Sequence, residues 1–101
     1  MKQYSIKYSD TFYDDLKNII SHIISMTRNP QIARNFYTQT LNTITRRSFS
    51  AESYEKFIPF EGSETYYRIY FGKYIIFYTV KEDVMDIRRM LWSGMDRLKH
   101  L

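Results

Sequence analysis

The chain has 101 residues, of which 44% are hydrophobic and 18% aromatic. That length suits one domain with a two-layer core, and the composition excludes a disordered or low-complexity chain. The absence of cysteine excludes a disulfide scaffold, thiolate metal sites and a cysteine nucleophile. The 15 Lys and Arg outnumber the 11 Asp and Glu, and the net charge of +4 favours an anionic partner, either a nucleic acid or an acidic protein.

The distribution of apolar residues argues for a cytoplasmic protein. No stretch reaches the ~18 consecutive apolar residues that a membrane helix needs. The first residues lead into a charged, alternating stretch rather than the apolar core of a signal peptide. We therefore expect a cytoplasmic protein with no membrane partner.

The N-terminal residues predict a strand followed by a helix. Alternation of apolar and polar residues predicts a half-buried strand over residues 2–8. Ser9 or Asp10 then offers an oxygen that can cap a helix over residues 11–26, which has a single apolar stripe. The residues of this stripe are Phe12, Leu16, Ile19, Ile20, Ile23 and Ile24.

A second helix is predicted over residues 30–47. Asn29 suits the N-cap position and Pro30 the first helical position. Because the break between the two helices is short, we expect them to form an antiparallel hairpin. The predicted buried face of the second helix consists of Ala33, Phe36, Tyr37, Leu41 and Ile44.

The C-terminal half predicts an antiparallel sheet. Residues 48–64 have no clear period and are interpreted as a loop with a short extended piece at Phe57-Ile58. Strands are predicted over 66–71, 74–80 and 84–92, joined by turns at Gly72-Lys73 and Glu82-Asp83. The order β-α-α-β-β-β predicts an α+β fold in a single domain over residues 1–101: an N-terminal strand, a helix hairpin and a three-stranded antiparallel meander, with the helices on one face of one sheet. The predicted core contains Leu16, Ile20, Ile23, Phe36, Leu41, Ile76 and Tyr78 or Phe77.

Few residues point directly to chemistry. His22 and His100 have no carboxylate cluster at metal-ligand spacing, and the three glycines form no phosphate loop, so we expect no metal and no cofactor. Residues 66–101 carry seven basic residues against four acidic ones. Arg68 and Tyr70 share one face of a strand, and the sheet face away from the helices could present Arg and Tyr for phosphate contact and stacking. The alternative interpretation is an ordinary solvated sheet face.

The order of three stretches resembles a known family. A strand enters an amphipathic helix over residues 4–16, and Asn29-Pro30 opens the second helix. The third stretch joins an arginine strand at Tyr67-Arg68, a Gly72 turn, a tyrosine strand from Tyr74, and a last strand that leads into Met95-Asp96. Over essentially all 101 residues this set resembles the RelE/ParE superfamily, the toxins of bacterial type II toxin–antitoxin modules. The resemblance implies a cognate small acidic antitoxin, bound as a protein–protein complex.

The resemblance leaves the target open. The ending Met95-Asp96…His100-Leu101 is similar to the ParE-like branch, which inhibits DNA gyrase without hydrolytic chemistry, and we favour this branch. The alternative is a RelE-like endoribonuclease that cleaves mRNA on the ribosome, in which case the chain is an enzyme. A second alternative is a degenerate, non-toxic module that only binds antitoxin. Many family members have His where this chain has Trp92.

The resemblance implies candidate residues for each branch. Cleavage of RNA needs groups that move protons and cations that stabilise charge at the phosphate. The candidate catalytic residues are Arg68, Arg89, Tyr74 and Tyr78. The candidate target-binding residues are Arg68, Lys73, Arg89, Trp92 and Asp96.

Overall fold

The computed structural model describes residues 2–95 and 101. Its elements are β1 (Ser5–Tyr8), α1 (Asp10–Thr27), α2 (Pro30–Arg47), β2 (Lys56–Phe57), β3 (Tyr66–Phe71), β4 (Tyr74–Lys81) and β5 (Val84–Trp92). Each predicted helix and strand is present, and the α+β class with helices on a single sheet is confirmed. Neither helix in this described part of the chain is long and apolar enough to cross a membrane.

Local side-chain chemistry sets the ends of the helices. Of the two predicted caps for α1, Ser9 is the one used, since its Oγ accepts the N–H of Phe12 at 3.1 Å. Arg28 ends α1 in the left-handed conformation, with φ of 52°. Asn29 then caps α2 by accepting the N–H of Gln31 at 3.0 Å. Only two residues separate the helices, so α2 folds back against α1 as a helix hairpin.

The sheet has one strand more than the sequence predicted. Its order is β1-β5-β4-β3-β2, with β1 parallel to β5 and the other neighbours antiparallel. The meander β3-β4-β5 and the added N-terminal strand match the prediction, whereas β2 extends the sheet at its other edge. The predicted extended piece is Lys56–Phe57 rather than Phe57-Ile58, and Ile58 is exposed. A two-residue strand has no detectable period, which explains the difference.

The main core lies between the helices and the sheet. Among the described residues it contains twelve buried side chains, including Phe12, Leu16, Ile44, Ile76 and Tyr78. Four predicted core residues are only partly buried, because they lie at the margins of the helix hairpin: Ile20, Ile23, Phe36 and Leu41.

The sheet face away from the helices is apolar at its centre. Phe77 is fully buried there with Tyr66, Ile75 and Leu91, and we call these four residues the outer cluster. Phe57, Met95 and Leu101 pack against it. The predicted Arg and Tyr face is therefore restricted to the margins of this side of the sheet.

Candidate functional site

Arg68 lies on β3 at one margin of the outer cluster. Its guanidinium carbon is 4.5 Å from the centre of the Phe57 ring and 5.9 Å from that of Tyr70. Its Nη2 is 3.4 Å from Oε1 of Glu55, a carboxylate that is largely exposed. Arg68 is thus held at the sheet surface by aromatic stacking and a long, solvent-screened ion pair.

Arg47 completes this site, although no local sequence pattern marks it. It lies at the end of α2, and its Nη1 donates to the Arg68 carbonyl oxygen at 3.0 Å and to Oη of Tyr78 at 2.9 Å. Its guanidinium carbon is 3.3 Å from the centre of the Tyr54 ring. The short strand β2 ends before it reaches the Arg68 carbonyl of β3. Arg47 therefore binds this carbonyl at the edge of the sheet. Five residues line a cavity of about 320 Å³ here, which we call the β3-edge cavity: Arg47, Tyr54, Glu55, Arg68 and Tyr70.

Tyr78 and Tyr74 lie on the opposite, helix-facing side of the sheet. Tyr78 is fully buried, and its Oη donates to the carbonyl oxygen of Ala51 at 2.7 Å. Burial raises the pKa of the Tyr78 phenol, although the neighbouring Arg47 opposes this change. Tyr74 is also buried and packs edge-on against Phe36, with 5.8 Å between the two ring centres. Both phenols are thus part of the core rather than of the Arg68 surface.

Arg89 is engaged by helix α1. Its Nε and Nη2 donate to the two carboxylate oxygens of Asp15 at 2.7 and 3.0 Å. A β-bulge between Phe77 and Tyr78 in the pairing of β4 with β5 leaves Arg88 as the extra residue, and places Arg89 opposite Phe77. Arg68 of β3 pairs with the same Phe77 from the other neighbouring strand of β4. The two arginines are therefore two strands apart, about 10 Å along the sheet, with a fully buried phenylalanine between them.

Arg88 forms a second ion pair that the sequence did not predict. Its Nη1 and Nη2 donate to the Glu64 carboxylate at 3.1 and 2.7 Å. Hydrogen bonding from Arg88 lowers the pKa of Glu64. Arg88 Nη1 is also 3.7 Å from Oδ2 of Asp86. Oδ1 of Asp86 is buried with no hydrogen-bond partner among the described residues.

Lys73 and Trp92 lie at the same end of the sheet. The Lys73 carbonyl accepts the N–H of Ser93 at 2.9 Å. Trp92 pairs with Tyr74 across the strands and is 53% exposed. Its indole ring lies directly over Gly94, where an added Cβ would come within 2.5 Å of the ring. Asp96, the remaining candidate, lies outside the described residues.

An apolar groove lies beside this end of the sheet. It occupies about 540 Å³ between the tip of the helix hairpin and the β3–β4 turn, and Ile23, Met26, Phe36 and Lys73 are among the residues lining it. Met26 is largely exposed at its margin. Among the described residues, no three His, Asp or Glu side chains come together as ligands for a metal ion.

Comparison with known proteins supports the fold rather than a particular activity. No protein-family model and no curated protein matches the chain. Among solved structures it is similar to a chain of the chromosomal ParDE TA (toxin–antitoxin) system from P. aeruginosa, with a TM-score of 0.73 and 16% identity. The match covers 89% of this chain and 96% of that chain. It confirms the fold predicted from the resemblance to the RelE/ParE superfamily.

Proposed function

We propose that this chain is the toxin of a toxin–antitoxin module and that its partner is a cognate small acidic antitoxin. The observation that carries the proposal is the similarity to the ParDE chain over nearly the full length of both chains. Because one fold can serve several functions, the choice of target rests on the site.

For the target we propose DNA gyrase, inhibited in the cytoplasm without catalysis by this chain. The support is the separation of the candidate catalytic groups. RNA cleavage needs a base, an acid and cations around one phosphate. The phenol of Tyr78 is buried beneath the sheet, Arg89 is engaged by Asp15, and Phe77 separates Arg89 from Arg68.

The β3-edge cavity favours a second candidate function, the ribosome-dependent cleavage of mRNA. It combines the Arg47 and Arg68 guanidinium groups with the Tyr54 and Tyr70 rings, a combination suited to a phosphate and a stacked base. Arg47, however, is held by a backbone carbonyl and by Tyr78. A third candidate, a non-toxic module that binds antitoxin alone, predicts no effect on either target.

The proposal is tested by inducing the chain in a bacterial host. We expect growth arrest, rescue when the adjacent acidic reading frame is co-expressed, and relaxed reporter plasmid with intact mRNA. If gyrase is the target, mRNA stays intact both with the parent chain and with Arg68→Gln, which alters the β3-edge cavity. Cleaved mRNA that depends on Arg68 would instead establish the RelE-like activity, and harmless expression would contradict a toxin.

A further inference from the structure

The positive charge of this protein is concentrated on residues 16–51, which include most of the helix hairpin. Residues 16–51 contain no Asp or Glu, yet they contain five basic residues: Lys17, Arg28, Arg34, Arg46 and Arg47. The other ten Lys and Arg of the chain are offset by all 11 acidic residues. Residues 16–51 therefore carry a net charge of +5, and the rest of the chain carries −1. The acidic residues of the hairpin, Asp10, Asp14 and Asp15, all lie at the start of α1.

The outward face of α2 has an unusual composition. It is the side opposite Ala33, Thr40 and Ile44, which are buried. Nine exposed residues form it: Gln31, Ile32, Arg34, Asn35, Thr38, Gln39, Asn42, Thr45 and Arg46. Solvent-facing helix surfaces ordinarily mix acidic and basic residues. This face has arginines, amides and hydroxyls, with no acidic or aromatic side chain, and its one aliphatic side chain, Ile32, lies at the margin.

The hairpin cations are uncompensated. Lys17, Arg28 and Arg34 are exposed and form no ion pair with any residue in 2–95 or with Leu101. Nη2 of Arg46 donates only to Oγ1 of Thr43 on its own helix, at 3.2 Å, among the described residues. The ion pairs of the described residues are all made by cations on or beside the sheet: Lys2, Arg68, Arg88 and Arg89. The hairpin thus presents a positive field to solvent.

We infer that the outward face of α2, together with Arg28 at the hairpin tip, binds the phosphate backbone of duplex DNA. Arginine, amide and hydroxyl groups are the side chains that commonly contact phosphates. Arg34 and Arg46 lie about 18 Å apart along the helix axis, a length that spans about five phosphate steps of one strand. Arg28 is exposed two residues before the start of α2 and adds a third arginine near this end of the helix.

The composition of this face distinguishes duplex DNA from other anionic partners. Single-stranded nucleic acid is bound largely by stacking on aromatic side chains, and this face has none. Protein–protein interfaces are commonly anchored by buried aromatic side chains near their centre. This face has none, so we expect an acidic antitoxin to bind elsewhere on the chain. The inference goes beyond the proposed function, because DNA binding is measured without gyrase or antitoxin.

The test is binding of the full chain to a fluorescently labelled duplex, with salt varied between about 50 and 200 mM. We expect a log–log salt slope near −3 for contacts by Arg28, Arg34 and Arg46, at about 0.9 per phosphate neutralised. The double variant Arg34→Gln/Arg46→Gln should bind about tenfold or more weakly at the lower salt and reduce the slope by about 2.

The matched control is Lys56→Gln/Lys81→Gln, which removes the same two charges from exposed strand positions. We expect it to bind within about twofold of the parent, because those lysines lie away from the outward face of α2. Equal weakening of both double variants, or no binding at the lower salt, would overturn the inference. Tighter binding to a single strand, or binding to a polyglutamate peptide with the same dependence on Arg34 and Arg46, would overturn it as well. Circular dichroism verifies that each variant is folded.

Discussion

The carboxylate of Asp15 binds the guanidinium of Arg89 through both of its oxygens, although 74 positions separate the two residues. The same carboxylate accepts the backbone N–H of Met90 at 2.9 Å. Strand β1 pairs with β5 only as far as Ile87, so Met90 lies beyond the end of its neighbour. Asp15 therefore replaces a strand partner at this edge and attaches helix α1 to β5.

We predict that Asp15→Ala lowers the free energy of unfolding by about 1.5–3 kcal/mol. The substitution leaves a half-buried guanidinium and a backbone N–H without their acceptor, and hydrogen bonds to charged groups have this magnitude. Urea denaturation followed by circular dichroism measures the change. Asp14→Ala is the matched control, because Asp14 is exposed one position away, and its effect should stay within about 0.5 kcal/mol. Equal effects of the two variants would show that the Asp15 contacts add no stability.

A second prediction concerns Tyr78 and alkaline pH. Burial raises the pKa of this phenol above 10.0, the ordinary value for tyrosine. Tyr78 therefore ionises at a lower pH in the unfolded chain than in the folded protein. The stability that depends on its neutral phenol is present in full below pH 10 and is lost as the pH rises through the raised pKa. Tyr78→Phe should lower stability at neutral pH by about 1–3 kcal/mol, through its lost hydrogen bonds, and should make the alkaline loss less steep.

The measurement is urea unfolding at a series of pH values between neutrality and strong alkali. Tyr70→Phe is the control. Because Tyr70 is 66% exposed, this substitution should leave the stability at neutral pH and the steepness of its alkaline loss nearly unchanged. Four other tyrosines, Tyr4, Tyr8, Tyr66 and Tyr67, also have raised pKa values, so some alkaline loss persists in Tyr78→Phe. An unchanged pH profile in Tyr78→Phe would contradict the role assigned to its burial.

A third prediction compares two residues of the α1 apolar stripe. Leu16 is buried in the main core, whereas Ile20 is only partly buried and lines a shallow groove between the helices. Leu16→Ala should therefore cost about 2–5 kcal/mol, the range for a truncated core side chain, and Ile20→Ala clearly less. Thermal unfolding of the two variants gives the comparison. A larger cost for Ile20→Ala would mean that α1 packs in a different rotation.

A fourth prediction concerns Gly94 and the single tryptophan of the chain. A methyl group at position 94 would lie within 2.5 Å of the Trp92 ring, so Gly94→Ala must displace the indole. We expect a shift in tryptophan fluorescence with little loss of stability, because the ring is half-exposed and can move. If Trp92 contacts the target, Gly94→Ala also lowers toxicity, and Trp92→Ala lowers it too. An unchanged emission spectrum would contradict the packing of Trp92 over Gly94.

Elements encoded by local patterns were predictable from the sequence. The run of β-branched and aromatic residues that forms β4, and the Asn29 cap of α2, need no distant information. The α1 stripe likewise identified the buried residues Phe12 and Leu16, whereas its last residue, Ile24, is 42% exposed.

Features that depend on tertiary contacts were not predictable in the same way. The bulge at Arg88 changes which face Arg89 occupies, and alternation alone gives no position for it. The pairing of Asp15 with Arg89 joins distant parts of the chain. Arg47 has the sequence context of an exposed helix end, yet it binds Tyr78 and the edge of β3.

The proposed function is tested most directly by adding the purified chain to DNA gyrase in a supercoiling reaction. We predict that supercoiling of relaxed plasmid is inhibited in proportion to the chain added, and that the acidic antitoxin restores it. In parallel, programmed ribosomes should retain intact mRNA. Normal supercoiling together with mRNA cleaved by the chain would contradict the account and establish the ribonuclease alternative.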